Sequence, residues 1–147
     1  MEIRQAKLED IIALYYLMRS YIVDFYKMPE PDEDELKGLI EHLLDHPESG
    51  LQFVAEENGE LLGFSTLYFT FSTLSVKRQA ILNDLFVVPA VRGKKIGEKL
   101  FQRNVDYIRE HGFSSMTWET SKDNLVAQSL YKKMGGTLSE WLVYEIK

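Results

Sequence analysis

The sequence predicts a mixed α/β domain, a mostly antiparallel central sheet flanked by helices, in the order β-α-α-β-β-β-α-β-α-β. Three observations predict it. Helical stripes of apolar residues open the chain. An Asn58-Gly59 pair then sits between two strand-like runs, and Asn-Gly is a strong hairpin signal because both residues tolerate positive φ. Strand and helix patterns alternate through the second half, where a crossover calls for parallel pairing.

Ile3 and Ala6 bracket a short first strand. A helix is expected from Leu8 to Tyr26, because Ile11, Leu14, Tyr15, Met18, Ile22 and Phe25 recur at spacings of three and four. Met28-Pro29-Glu30-Pro31 stops it, since proline lacks a donor and biases its predecessor away from helix. A second helix is expected over Asp32–Asp45. Asp32 and Glu35 have capping-box spacing, and Leu36, Leu39, Ile40, Leu43 and Leu44 form its apolar stripe. Strands follow at Gln52–Glu57, Glu60–Phe71 and Gln79–Val88. The last ends in Leu85-Phe86-Val87-Val88, apolar on both faces as in a strand covered on each side. The remaining expectations are a helix over Lys95–His111, a strand over Met116–Thr120, a helix over Asn124–Met134 and a last strand over Trp141–Ile146.

A chain of 147 residues suits one domain, here 1–147, and is long enough to bury a core without staples. It has no cysteine, which excludes disulfides, thiolate metal sites and cysteine nucleophiles. Its net charge of −6 disfavours nucleic acid, which requires a basic face. No apolar run reaches the roughly 18 residues of a membrane span, and Met1-Glu2-Ile3-Arg4 does not read as a signal peptide, so a cytoplasmic protein is expected. His42 and His46 are spaced to chelate a metal, but no third ligand is evident and a solvated pair serves as well; no metal is expected. There is no Gly-x-Ser-x-Gly and no Ser-His-Asp arrangement to support a hydrolase.

The chemically informative stretch runs from Asn83 to Gly97. A buried strand ends at Pro89, a turn containing Arg92, Gly93, Lys94 and Lys95 follows, and a helix begins near Ile96-Gly97-Glu98. A helix N-terminus offers free N–H groups and partial positive charge, so the turn reads as a phosphate site. A plain strand-to-helix connection with solvated lysines accounts for the same residues. A second element, Asn124-Leu-Val-Ala127-Gln-Ser-Leu130-Tyr131-Lys-Lys-Met134-Gly135, is by itself a capped amphipathic helix with Tyr131 as a core residue.

Together these two elements resemble the GNAT superfamily of N-acetyltransferases. Leu85, Val87, Pro89, Arg92, Gly93, Ile96 and Gly97 match its acetyl-CoA signature after a Leu-x-Val-x-Pro strand, and the second element is similar to its late Asn-x-x-Ala-x-x-Leu-Tyr-x-x-x-Gly helix. One residue departs: Lys95 stands where the signature has its first glycine. If that position needs positive φ, lysine costs roughly 1–2 kcal/mol; if it needs only an N–H, lysine serves.

The resemblance implies a GNAT fold and acetyl-CoA as cosubstrate, held by Leu85, Phe86, Val87, Arg92, Gly93, Lys94, Lys95, Ile96, Gly97, Glu98, Asn124 and Ala127. It implies that Tyr131 protonates the departing CoA thiolate. Tyr68–Thr73, Trp118 and Trp141–Tyr144 further resemble the diamine and polyamine acetyltransferases, but Asn83 replaces a glutamate of that subgroup and cannot act as a base.

The implied acceptor is a primary amine on a small molecule. A protein or peptide amine, or a CoA-binding module without turnover, are the alternatives. Asn83 and Glu119 are candidates for acceptor contacts. Asp84 or Glu119 is a candidate proton relay, unless the amine binds neutral and needs none; a satisfied structural Asp84 is the other reading. Glu30, Asp32, Glu33, Asp34 and Glu35 either complement a helix dipole or form an acidic rim for a cationic amine. Leu67–Leu74 and Trp141–Ile146 are candidate surfaces for a homodimer.

Overall fold

A computed structural model describes all residues, Met1–Lys147. Five strands form one sheet in the order β1-β2-β3-β4-β5: β1 (Glu2–Gln5), β2 (Gly50–Glu57), β3 (Glu60–Ser72), β4 (Lys77–Val87) and β5 (Met116–Thr117). The first four pair antiparallel, and β5 lies parallel to β4 across the crossover. Helices α1 (Ile11–Arg19) and α2 (Glu33–Asp45) cover one face, and α3 (Ile96–Glu110) covers the other. A fourth helix, α4 (Leu125–Lys133), follows β5.

The pleat divides the apolar residues between the two faces. Phe53, Leu67, Ala80 and Leu82 pack under Leu100, Phe101 and Ile108 of α3. Val54, Phe64 and Phe86 pack under Leu14, Met18, Leu36 and Ile40. The face changes along β4: Ala80 and Leu82 turn toward α3, whereas Phe86 turns toward α1. A β-bulge causes the switch. Thr66 lies opposite Asp84 while Leu67 lies opposite Leu82, so Asn83 is an extra residue in β4.

The Asp32 half of the capping box expected at α2 forms, with Asp32 accepting from the Glu35 N–H at 3.0 Å. Three expectations need correction. The helix expected over Leu8–Tyr26 is not one α-helix. It comprises a 3₁₀ turn (Leu8–Asp10), α1, and a π turn over Ser20–Phe25. The strand expected over Met116–Thr120 pairs only at Met116 and Thr117; the bulge bends β4, and residues 118–120 no longer follow it.

The last strand, expected over Trp141–Ile146, does not form. Its alternation is strand-like, but a strand needs a neighbour for its peptide groups. Within one chain the segment finds none, leaving Trp141, Leu142, Val143, Tyr144 and Ile146 largely exposed. No helix is long and apolar enough to cross a membrane.

Candidate active site

Past Ile81 nothing pairs with the free side of β4. The gap between β4 and the segment after β5 opens into a cleft of about 620 Å³. One wall is the bulged half of β4, with Asn83, Leu85, Phe86 and Val87. The opposite wall is formed by Trp118, Glu119, Thr120 and the α4 residues Ala127, Leu130 and Tyr131. The unpaired peptide groups of β4 face an extended ligand as a missing strand would.

At one end stands the turn into α3. Gly93 has φ +88° and Lys95 has φ +63°, the left-handed region. The position matching the first signature glycine therefore does require positive φ, and lysine adopts it at a cost of roughly 1–2 kcal/mol. The reward is a turn that presents the first N–H groups of α3 at the mouth of the cleft, where phosphate oxygens are good acceptors. Gly97 is not demanded by packing, since a Cβ there would make an ordinary contact, 3.6 Å from Val87 Cγ2. Lys95, Ile96, Gly97 and Glu98 line the cleft; Lys94 does not and is exposed. Arg92 turns inward. Its Nε donates to the Val87 carbonyl at 3.1 Å, and its guanidinium lies 5.5 Å and 5.7 Å from the rings of Phe25 and Phe86.

Tyr131 is placed by α4. The Asn124 side chain caps that helix, accepting from the Ala127 N–H at 3.1 Å. Trp118 and Phe101 hold the Tyr131 ring at centroid distances of 5.3 and 5.7 Å. Gly136 makes this packing possible, because a Cβ there would meet the Trp118 ring at 2.8 Å. Burial raises the Tyr131 phenol above its ordinary value, with nearby Tyr26 adding to the effect, so it stays protonated at neutral pH. Glu98 is held below the usual carboxylate range by its bond to Lys133, at 2.9 Å.

Asn83 and Asp84 take different places. Asn83 is exposed and lines the cleft; Asp84 is only 8% exposed and lies behind the cleft wall. Burial pushes the Asp84 carboxyl up, opposed by the hydroxyls of Thr66 and Tyr21 and by the Asn83 amide, whose Nδ2 donates to Oδ1 at 3.1 Å. Of Glu30–Glu35, none lines the cleft. Glu30 pairs with Arg19 at 2.7 Å, Glu33 with Lys37 at 3.6 Å, and Asp32 caps α2. The acidic-rim expectation is therefore corrected: these side chains serve helix and loop.

Sequence reasoning missed the end of the cleft beyond the bulge. Tyr21, Phe25 and Tyr26 line it, contributed by the π turn and the residue that caps it. The aromatic density of residues 21–26 was the available signal, but a regular helix would have spread those rings around its circumference.

The family model for the acetyltransferase (GNAT) family matches residues 14–136, most of the chain and both elements of the cleft. The chain belongs to the GNAT family. An uncharacterized N-acetyltransferase, YhfO, of Bacillus subtilis (strain 168) is 42% identical over 135 residues, covering 92% of this chain and 89% of its own length. A crystal structure described as a probable acetyltransferase is 33% identical, with TM-score 0.88 over 100% of this chain and 97% of that one. A second, a predicted acetyltransferase with acetyl-CoA from Clostridium acetobutylicum, is 23% identical with TM-score 0.82, covering 98% of this chain and 95% of that one, and so shares the fold. This GNAT protein is an acetyl-CoA-dependent N-acetyltransferase. Its strand-to-helix turn fits a phosphate-bearing cosubstrate through the N–H groups at the start of α3 and the left-handed residues Gly93 and Lys95 that aim them.

Proposed function

We propose that this enzyme acetylates a primary amine on a small molecule. The observation that carries the reading is the apolar and aromatic lining of the cleft beyond the bulge. Three aromatic rings, Tyr21, Phe25 and Tyr26, line that end, and 14 of the 23 residues around the whole cleft are hydrophobic. A peptide acceptor calls for polar partners along its backbone, which a mostly apolar lining does not supply. A non-catalytic module would have no use for a protonated phenol in the cleft wall. The only cleft carboxylates are Glu98, paired with Lys133, and Glu119. A single amine on an apolar or aromatic body therefore suits the lining better than a polyamine, whose several charges need several partners. Tyr and Phe faces also attract an ammonium group before it loses its proton.

In the reaction, the neutral amine nitrogen attacks the thioester carbonyl and the carbonyl electrons move to oxygen. The nitrogen loses a proton, which ends on Asp84, as its basicity collapses. The carbon–sulfur bond then breaks, and Tyr131 protonates the thiolate. Asp84 and Tyr131 return to their starting states by proton exchange with water. Leu85–Val87, Arg92, Gly93, Lys95–Glu98, Asn124 and Ala127 hold acetyl-CoA in this reading, with Lys94 adding only distant charge. Asn83 and Glu119 face the acceptor.

CoA release measured across a panel of amines tests the reading. Turnover with aromatic or apolar monoamines and none with peptides is expected. Efficient acetylation of a peptide N-terminus alone would refute it. Calorimetry should show acetyl-CoA binding without any acceptor; no binding at millimolar concentration would remove the site assignment altogether.

A cytoplasmic homodimer completes the proposal. Leu67 is fully buried, so the dimer surface reduces to the hairpin tip with Phe71 and Leu74, 76% and 85% exposed, together with the tail Trp141–Ile146. A second copy offers that tail the strand partner its own chain lacks. Light scattering that shows a strict monomer at high concentration would refute it.

A further inference from the structure

Asp84 presents a difficulty. It lies behind the cleft wall, so an acceptor nitrogen in the cleft cannot reach it directly. Three polar side chains surround it: Asn83 donates to its carboxylate at 3.1 Å, Thr66 is its cross-strand partner, and Tyr21 packs on the neighbouring Phe64 and Phe86. Thr66 is fully buried and touches no cleft. Asn83 lines the cleft, but its amide cannot take up a proton. Tyr21 also lines the cleft, and its hydroxyl both donates and accepts. We propose that Tyr21 is a catalytic residue, carrying the acceptor amine's proton from the cleft to Asp84.

The π turn puts it there. The Tyr26 N–H bonds to the Tyr21 carbonyl at 3.1 Å, a five-residue step. In a regular α-helix, residues five apart diverge by roughly 140° around the axis. Here the rings of Tyr21 and Tyr26 meet edge to face at 5.0 Å, and both line the cleft. The Tyr21 ring is fixed on its other sides by Phe64 at 5.6 Å and Phe86 at 5.7 Å. π turns are uncommon and tend to occur where a helix must present side chains that regular geometry would separate.

The β4 bulge completes the arrangement by turning Asp84 to the α1 side of the sheet, the side on which Tyr21 packs against Phe64 and Phe86. As the nitrogen bonds to the thioester carbon, its proton passes to the Tyr21 oxygen while the Tyr21 proton passes to the Asp84 carboxylate. Tyr21 ends as it began, and Asp84 holds the proton.

The inference rests on the amine-acceptor reading, and the test separates the two. Tyr21→Phe retains the ring and its packing. In single-turnover measurements it should lower the rate by ~10²-fold, the low end for a proton-transfer group, with acetyl-CoA affinity unchanged by calorimetry. Asp84→Asn should lower it comparably. Because the two act in series, the double variant should lose no more than the worse single one.

Asp84→Asn also guards against misfolding as the explanation. A carboxyl whose folded pKa is raised loses stability as pH climbs through its unfolded and then its folded value, so the neutral amide should be at least as heat-stable at pH 7. Wild-type turnover in Tyr21→Phe, or losses that multiply in the double variant, would overturn the inference and leave the acetyltransferase intact. A parent enzyme that binds acetyl-CoA yet releases CoA with no amine would overturn both.

Discussion

The two ends of the cleft are built in opposite ways. The acetyl-CoA end comes largely from one contiguous stretch, Leu85–Glu98, and works through backbone: free strand peptides, two left-handed residues and a helix N-terminus. The acceptor end is gathered from Tyr21–Tyr26, Asn83 and Trp118–Thr120, segments far apart in sequence, and works through side chains. A backbone device needs a particular spacing and tolerates changes of side chain, as Lys95 at a glycine position demonstrates. A side-chain device has no such constraint, so acceptor preference can vary on a constant cosubstrate end.

The strongest way to probe this division is Tyr131, which touches both ends. Tyr131→Phe should lower kcat by ~10²–10⁴, the range for a general acid, with acetyl-CoA affinity nearly constant. A Phe variant with unchanged kcat, measured where chemistry limits the rate, would move the proton donor elsewhere. Next in size is Phe25→Ala. Loss of one aromatic wall should raise KM for the amine by up to ~10-fold, the worth of an aromatic contact, and leave acetyl-CoA binding undiminished. Equal losses in both affinities would erase the distinction between the ends.

Asn124→Ala removes the cap of the helix that carries Tyr131 and should cost ~1 kcal/mol in chemical denaturation. The smallest effect is expected at Lys95→Gly. Relief of the left-handed strain, partly offset by the greater freedom of glycine in the unfolded chain, should stabilise the fold by up to ~1 kcal/mol. A destabilised glycine variant would mean that the lysine side chain does more than tolerate the turn.

A largely buried ion pair marks the contrast with local chemistry elsewhere. Arg4 binds Asp10 through two bonds of 2.7 and 3.0 Å and also bonds Glu56. The hydrogen bond from Arg4 holds Asp10 below the usual carboxylate range. That stabilisation is complete above the unfolded value near 3.9 and fades as pH falls through the folded one. Acid unfolding of Asp10→Asn should therefore show a shallower pH dependence than the parent.

Much of this was legible in the sequence. The helical stripe of α2, the Asn58-Gly59 hairpin, the order of the first nine elements, and the turn at residues 92–97 depend on neighbours in the chain. Local geometry and binary pattern specify them. What the sequence left open was decided by partners. Positive φ at Lys95 followed from the turn meeting α3. The π turn followed from packing Tyr21 against Phe64 and Phe86, where a regular helix period would have turned Tyr26 away. The bulge at Asn83 depends on the register of β3 against β4. The tail Trp141–Ile146 has a strand's alternation and no strand beside it. Periodicity records which face a residue prefers; only the assembled sheet determines which backbone groups find a partner, and the cleft opens where they do not.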